Sequence, residues 1–261
     1  MADPSVPPLF LQHSGAVQQE QAVVFLLEAS ASAEQLEELL GIVRTWVAVG
    51  QRGGFVHCSA IPGGGALALD RWTFDDPQRP AFLLRAIQLD RTAWAPLRHA
   101  AWRWGARGPS VLEMKVIERT PGGPWATRQV PEMSHARQLT EYPLLCDNLG
   151  FPVTYGNPGE YARTRRCVID FGRVVKATSM DAVIAAASAW FELARYGAWA
   201  PPDFEIAEAM VDLANVAPYD EYSVELALSM FEASECAWYV LCNMLGQVSV
   251  EHEALNSVGI D

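Results

Sequence analysis

"DRTAWAPL" (90–97) and "SECAWYVL" (234–241) are the two stretches that decide how this chain is read. Each follows an apolar run, "FLLRAIQL" (82–89) in the first case and "EYSVELALSMFEA" (221–233) in the second. Each opens on a residue able to cap a helix, Asp90 or Ser234. Each then carries an Ala-Trp pair, with a leucine three residues beyond the tryptophan. Trp94 and Leu97, like Trp238 and Leu241, therefore share one helix face. The two phrases stand 144 residues apart.

Sliding the chain by 144 lays residues 22–117 on 166–261 without a gap. Identities then fall at Val24/Val168, Ala33/Ala177, Trp46/Trp190, Gly53/Gly197, Leu69/Leu213, Asp76/Asp220, Leu84/Leu228, Ala93/Ala237, Trp94/Trp238 and Leu97/Leu241. The matched tryptophans lie on predicted helices, where an aromatic at helical spacing reads as a core anchor. The repeated order is strand, helix, strand, strand, helix, strand. It predicts an α+β protein with two similar ferredoxin-like (βαββαβ) halves, each an antiparallel sheet with helices on one face.

The elements follow from local pattern. "QAVVFLLEAS" (21–30) reads as a buried strand, and residues 32–50 as a helix with Ser32 as N-cap and Gln35 at the capping-box position. Leu36, Leu39, Leu40, Val43, Trp46 and Val47 make its apolar face. "GFVHCSAI" (54–61) and "ALALDRWTF" (66–74) read as a hairpin turned by "PGGG", and "SVLEMKVIE" (110–118) closes the first set. Residues 165–177 read as a strand or hairpin. Residues 179–197 read as a helix capped by Ser179, with Val183, Ile184, Ala187, Trp190, Phe191 and Ala194 inward. "AMVDLANV" (209–216) and 221–233 are strands, and "EALNSVGI" (253–260) supplies the last one. The organisation is an extended leader (1–20), an N-terminal α+β repeat (21–118), a turn-rich connection (119–164) with a short helix at "HARQLTEY" (135–142), and a C-terminal acidic α+β repeat (165–261).

Composition bounds the class. The 261 residues are 50% hydrophobic with mean hydropathy +0.05, enough for a sizeable core. No apolar run reaches the roughly 18 residues of a membrane span. The N-terminus lacks a basic n-region and does not read as a signal peptide. The five cysteines (58, 146, 167, 236, 242) are odd in number and scattered, which fits a reducing cytoplasm. The net charge is −12 and unevenly placed: residues 1–195 hold 19 acids and 19 bases, whereas residues 196–261 hold 12 acids and no Lys or Arg. Such a field argues against nucleic acid as a direct ligand of this lobe. It leaves open a basic partner or a purely solubilising role.

No chemical motif announces a reaction. His13, His57, His99, His135 and His252 form no metal-ligand spacing, so neither metal nor cofactor is expected. "IPGGGA" (61–66) lacks the Lys and Ser/Thr of a P-loop. Cys58, Cys146 and Cys167 are formal nucleophile candidates that read better as buried small hydrophobes. Asp75-Asp76 before Pro77 reads as a turn, and Asp220-Glu221 as a solvated strand entry. Arg163, Arg165 and Arg166 form the one compact basic run, suited to holding an anion or, better, to pairing with the acidic lobe.

One segment carries a family resemblance. In "EELLGIVRTWVAVGQRG" (37–53) a helix ends in a tryptophan and a glycine turn. This resembles the two-lobed α+β immunity proteins that bacteria make against type VI secretion effectors and other polymorphic toxins, in particular the family called immunity protein 52. The resemblance implies a cytoplasmic, stoichiometric inhibitor of a cognate toxin of the nuclease class, with no site residues carried over. From charge, the expected partner-binding residues are Asp203, Glu205, Glu208, Asp212, Asp220, Glu221, Glu225, Glu232 and Glu235, with Tyr219, Tyr222 and Trp199 as hot-spot aromatic area. The partner is then a protein toxin with a basic surface, with no nucleic acid and no membrane. A different reading is an enzyme whose duplicated ferredoxin-like units enclose a haem or small substrate, with Asp170 and Asp212 as pocket acids. A secretion-apparatus or phage adaptor shares the binding logic.

Overall fold

The structure, a computed structural model, describes residues 9–12, 18–55, 67–87, 89, 91–119, 145–146, 149–156, 164–199, 212–229 and 235–261. The chain is α+β. The first five strands are β1 (Leu9–Gln12), β2 (Gln18–Leu27), β3 (Ala68–Thr73), β4 (Ala81–Ile87) and β5 (Val111–Arg119), in the order β1-β5-β2-β4-β3. The second sheet is built from β6 (Val153–Tyr155), β7 (Thr164–Asp170), β8 (Asp212–Pro218), β9 (Ser223–Ser229) and β10 (Ser257–Ile260), in the order β6-β10-β7-β9-β8. Among the described residues only β1–β5 and β6–β10 pair parallel; the other pairs are antiparallel. Among the described residues there are four α-helices: α1 (Ala33–Gln51), α2 (Trp94–Gly105), α3 (Ala177–Arg195) and α4 (Glu235–Glu251).

Strand pairing repeats at the offset of 144. Val23 faces Phe82 and Val116, while Cys167 faces Leu226 and Ile260. The irregularity between Leu69 and Arg71 recurs between Leu213 and Asn215. The correspondence reaches beyond the aligned window, since Leu9 pairs with Met114 and Val153 with Val258. The stretch read as a leader thus contributes an edge strand, and the stretch read as a connection contributes another. The hairpin expected between 54–61 and 66–74 lies largely outside the described residues. β3 pairs with β4 through the turn at Asp75–Pro77, and residues 56–66 lie outside the described residues. Residues 165–177 are not a hairpin: β7 ends at Asp170 and a turn leads into α3. The helix expected at 135–142 lies outside the described residues.

Local chemistry explains the helix ends. Ser32 is extended, its Oγ accepts from Gln35 N at 3.2 Å, and Gln35 Oε1 accepts from Ser32 N at 2.8 Å, so the capping box is complete. Ser179 does not cap α3. The helix starts two residues earlier from an extended Lys176, and Ser179 is buried in its first turn. Nor does a side chain cap α2. A 3₁₀ turn at Arg91–Ala93 feeds into it, and the cap position is Ala93, already helical. Asp90 and Ser234 lie outside the described residues. Both long helices end on a left-handed glycine, Gly53 at φ +82° and Gly197 at φ +78°, a conformation that other residues adopt at a cost.

The two matched tryptophan pairs build the core in the same way. Trp46 Nε1 donates to Ala93 O at 2.8 Å, and Trp190 Nε1 donates to Ala237 O at 2.7 Å. Trp46 stacks on Trp94 at 4.8 Å and Phe55 at 5.5 Å; Trp190 stacks on Trp238 at 5.2 Å and Trp199 at 6.3 Å. Each indole thereby pins the start of the following helix against the preceding one. Stacked pairs of this kind add about 0.5–1.5 kcal/mol beyond the area they bury. Helices α1 and α3 pack on each other. A Cβ at Gly53 would meet Gln247, and one at Gly197 would meet Arg103, and 103 and 247 are again 144 apart. Position 53 of one copy thus meets position 247 of the other and the reverse also holds, the reciprocity of a two-fold interface.

Candidate protein-binding surface

The β8–β9 turn holds four of the expected partner-binding residues: Tyr219, Asp220, Glu221 and Tyr222. Asp220 shapes it. Its Oδ1 accepts from Tyr222 N at 2.8 Å and from Ser223 Oγ at 2.8 Å, an Asx-type turn. The Tyr222 amide, then the Ser223 hydroxyl, hold the Asp220 carboxyl below its ordinary value by favouring the charged form. Tyr219 N closes the hairpin onto Ser223 O at 2.9 Å, and Phe171 N donates to Tyr222 O at 2.9 Å. The tyrosines point outward: Tyr219 is 61% exposed and Tyr222 41%. Glu221, hydrogen-bonded to the Tyr222 hydroxyl, pushes that phenol up.

Behind the turn stands Arg166. Its Nε and Nη2 donate to Glu225 Oε1 and Oε2 at 2.7 and 3.1 Å, and its guanidinium lies 5.1 Å from the Tyr219 ring centre. The hydrogen bond to Glu225, followed by that to Tyr219, raises the arginine further above its ordinary value. This is the pairing between basic run and acidic lobe expected from the sequence. It makes Glu225 a brace for Tyr219 and not a free contact acid. Arg163 lies outside the described residues.

The same end of the sheet gathers two more loops, because Asp170 pairs with both Ser223 and Ser257. Asp170 accepts from Gly172 N at 2.8 Å and from Asn256 Nδ2 at 2.7 Å, and Glu253 Oε2 accepts from Lys176 N at 3.2 Å. Asp170 is therefore a turn-holding residue, not a pocket acid. Val174, on the loop that Asp170 orders, is 61% exposed. It was not foreseen, although strand register alone would have placed its loop beside the tyrosines.

The other expected residues do not join this cluster. Asp203, Glu205, Glu208 and Glu232 lie outside the described residues. Asp212 opens β8 opposite Ser229, about 20 Å from the turn at strand rise. Glu235 opens α4. Trp199 is 1% exposed and belongs to the core.

The internal repeat supplies a comparison for the turn. In the first half Gln78 N donates to Asp76 Oδ1 at 3.0 Å, the bond that Tyr222 N and Asp220 make 144 residues later. Backbone design is shared and decoration is not: Asp75, Pro77 and Gln78 stand where Tyr219, Glu221 and Tyr222 stand.

Elsewhere, no group of three or more His, Cys, Asp or Glu able to hold a metal occurs among the described residues. Cys167 and Cys242 are buried, and burial pushes the Cys167 thiol well up and that of Cys242 to about 12, so both are inert small hydrophobes at neutral pH. Cys146 is half-buried and its N–H donates to Asn243 Oδ1 at 2.9 Å; Cys58 lies outside the described residues. Sequence reasoning missed several buried polar residues. Arg98, His99 and Arg103 on α2 are buried, as are Gln21 and Glu118, joined at 2.9 Å. Their counterparts on α4 are Cys242, Asn243 and Gln247.

No protein-family model matches the chain, and no curated protein matches it. Among solved structures it is similar to pitrilysin, at 8% identity and TM-score 0.24, over 91% of this chain and 37% of that one. The chain thus spans little more than a third of the pitrilysin chain. A DyP-type peroxidase from Cellulomonas bogoriensis aligns at 12% identity and TM-score 0.20, over 99% and 94%. The formyltransferase/hydrolase complex from Methylorubrum extorquens, solved with methylofuran, aligns at 8% and 0.19, over 97% and 90%. These scores carry no argument about fold or activity. No helix among the described residues is long and apolar enough to cross a membrane.

Proposed function

We propose that this protein is a binding protein of the bacterial immunity type, which neutralises a cognate toxin of the nuclease class in the cytoplasm. Its two halves are ferredoxin-like units, each with one added parallel edge strand. The observation that carries the reading is the β8–β9 turn: two exposed tyrosines and two acids, held by Asp220 and braced by Arg166, on a segment with no Lys or Arg after residue 195. A nuclease cleft is positive because it binds phosphates. An acidic surface steers association with such a cleft, and preordered tyrosines supply hot-spot area at low entropic cost.

The test uses the chain's own first half as a template. Tyr219→Asp, Glu221→Pro and Tyr222→Gln together copy the 75–78 turn, keep two acids and remove the aromatics. Glu221→Lys alone reverses charge. The partner is captured from the native host and co-expressed with each variant. Each tyrosine lost from a hot spot costs about 2 kcal/mol, roughly thirtyfold in Kd. The copied turn is expected to lose protection of the host cell, and Glu221→Lys to weaken binding and flatten its salt dependence. Full protection by a folded copied-turn variant refutes the assignment of this turn.

A further inference from the structure

The outward face of the first sheet carries a groove of about 320 Å³ across β2, β4 and β3. Ala22, Arg71, Thr73, Ala81 and Leu83 line it, together with Trp72 and Phe82. The first five share a face because Ala22 pairs with Leu83, Leu83 with Arg71, and Ala81 with Thr73. The opposite face, with Val23, Phe82 and Leu84, is core. Other arginines on this outward face are matched: Arg85 to Asp70 at 2.7 Å, and Arg119 to Glu20. Arg71 meets no carboxylate among the described residues.

The second half shows what the same place holds there. Arg166 occupies the register position of Ala22 and Glu225 that of Ala81, and they form the two-bonded pair described above. Asn215 occupies the position of Arg71. One half therefore fills the site with its own carboxylate and guanidinium. The other half has alanines at both positions and a guanidinium two strands away, on β3, so among the described residues a cation and an apolar floor remain without an acid.

We propose that this groove binds a small carboxylic acid with a compact apolar body. Arg71 takes the carboxylate in its planar fork, and the body lies over Ala22, Ala81 and Leu83. The volume is at the lower end of small-molecule sites, room for one ring and a short chain.

The probe is sodium 4-phenylbutyrate, titrated into the isotope-labelled full chain, with 4-phenylbutyramide as its uncharged match. Saturable amide shifts confined to β2, β3 and β4 are expected, with the amide binding roughly tenfold more weakly, the size of one charge-assisted pair at an open site. Arg71→Gln, at an exposed position, should weaken the acid by a similar factor and leave the amide unchanged. Ala22→Arg with Ala81→Glu copies the second half's pair into the groove and should abolish binding of both. Equal affinity for acid and amide, an unaffected Arg71→Gln variant, or shifts absent from these strands overturns the proposal.

Discussion

Trp190→Phe is the sharpest probe of how the repeated phrase works. The indole is fully buried, donates to Ala237 O at 2.7 Å and lies between Trp238 and Trp199. Phenylalanine keeps one ring for stacking but loses the N–H and part of the volume. The lost hydrogen bond costs about 1 kcal/mol. The void left by the smaller ring adds about 1–2 kcal/mol, a fraction of a full aromatic deletion. The sum, about 2–3 kcal/mol, corresponds to a fall in Tm of roughly 4–6 °C for a chain of this size. Trp46→Phe should cost the same to within about 1 kcal/mol, because its bond and its stack are the same. Trp199→Phe is the internal control. The Trp199 Nε1 bond to Trp190 O is long at 3.4 Å, so its cost should be the void term alone, about 1–2 kcal/mol, and below that of Trp190→Phe. Urea unfolding followed by far-ultraviolet circular dichroism reads all three without relying on tryptophan emission. A Trp199→Phe variant less stable than Trp190→Phe would refute the equivalence of the two cores.

Three further outcomes follow from the geometry. Gly197→Ala places a Cβ against the Arg103 side chain at φ +78°, whereas Gly150→Ala, at φ +82°, meets nothing within 4 Å; the second should cost only the backbone term of about 1–2 kcal/mol and the first measurably more, by chemical denaturation. Cys167 and Cys242 should stay unmodified by iodoacetamide in the native protein at neutral pH and react on unfolding, as read by peptide mass spectrometry, because burial holds both thiols neutral. Asp220 is an acid whose folded value is depressed, so its hold on the turn is complete above its ordinary 3.8 and is lost as pH falls through the lower folded value; the Tyr222 amide resonance should titrate with a midpoint below 3.8, and a midpoint above it contradicts the capping role.

What the sequence made legible was what short-range chemistry writes. Ser32 with Gln35, the apolar stripe of α1 and the paired tryptophans each depend on neighbours a few residues away, and each stands where it was expected. The offset of 144 was also legible, and it held more than was drawn from it. Ser32 maps onto Lys176, which is the true cap of α3, and a serine three residues on was the more familiar signal. β1 and β6 escaped because they are short edge strands whose only partners lie 105 residues away, as Leu9 does from Met114 and Val153 from Val258. The glycines at 63–65, read as a hairpin turn, lie outside the described residues, whereas the turn read at Asp75–Pro77 joins β3 to β4. Within the candidate surface, Tyr219–Tyr222 was visible as an acidic, aromatic break between strands. The burial of Arg98 and Arg103 was not. Charge on a helix reads as solvent, and only the packing of α2 on all sides shows otherwise.

The offset also separates what the fold requires from what each half does with it. Sheet positions that face the helices keep their register partners and stay apolar, as Val23/Cys167, Phe82/Leu226 and Leu84/Leu228 do. Positions on the outward faces and in the turns are under no such constraint, and there the chemistry diverges. At 22/166 and 81/225 two alanines oppose an arginine and a glutamate. At 75–78 and 219–222 one Asx turn carries Asp, Asp, Pro and Gln, and its copy carries Tyr, Asp, Glu and Tyr. If the halves served one shared role, these differences would be neutral drift, and exchanging them would leave binding unchanged. If each half has its own ligand, exchange of turns should move only protein binding, and exchange of the outward-face pair only small-acid binding. The shared phrase around Trp94 and Trp238 fixes the frame on which that independence rests: each half holds its own helix to its own sheet, so a change on one outward face need not disturb the other.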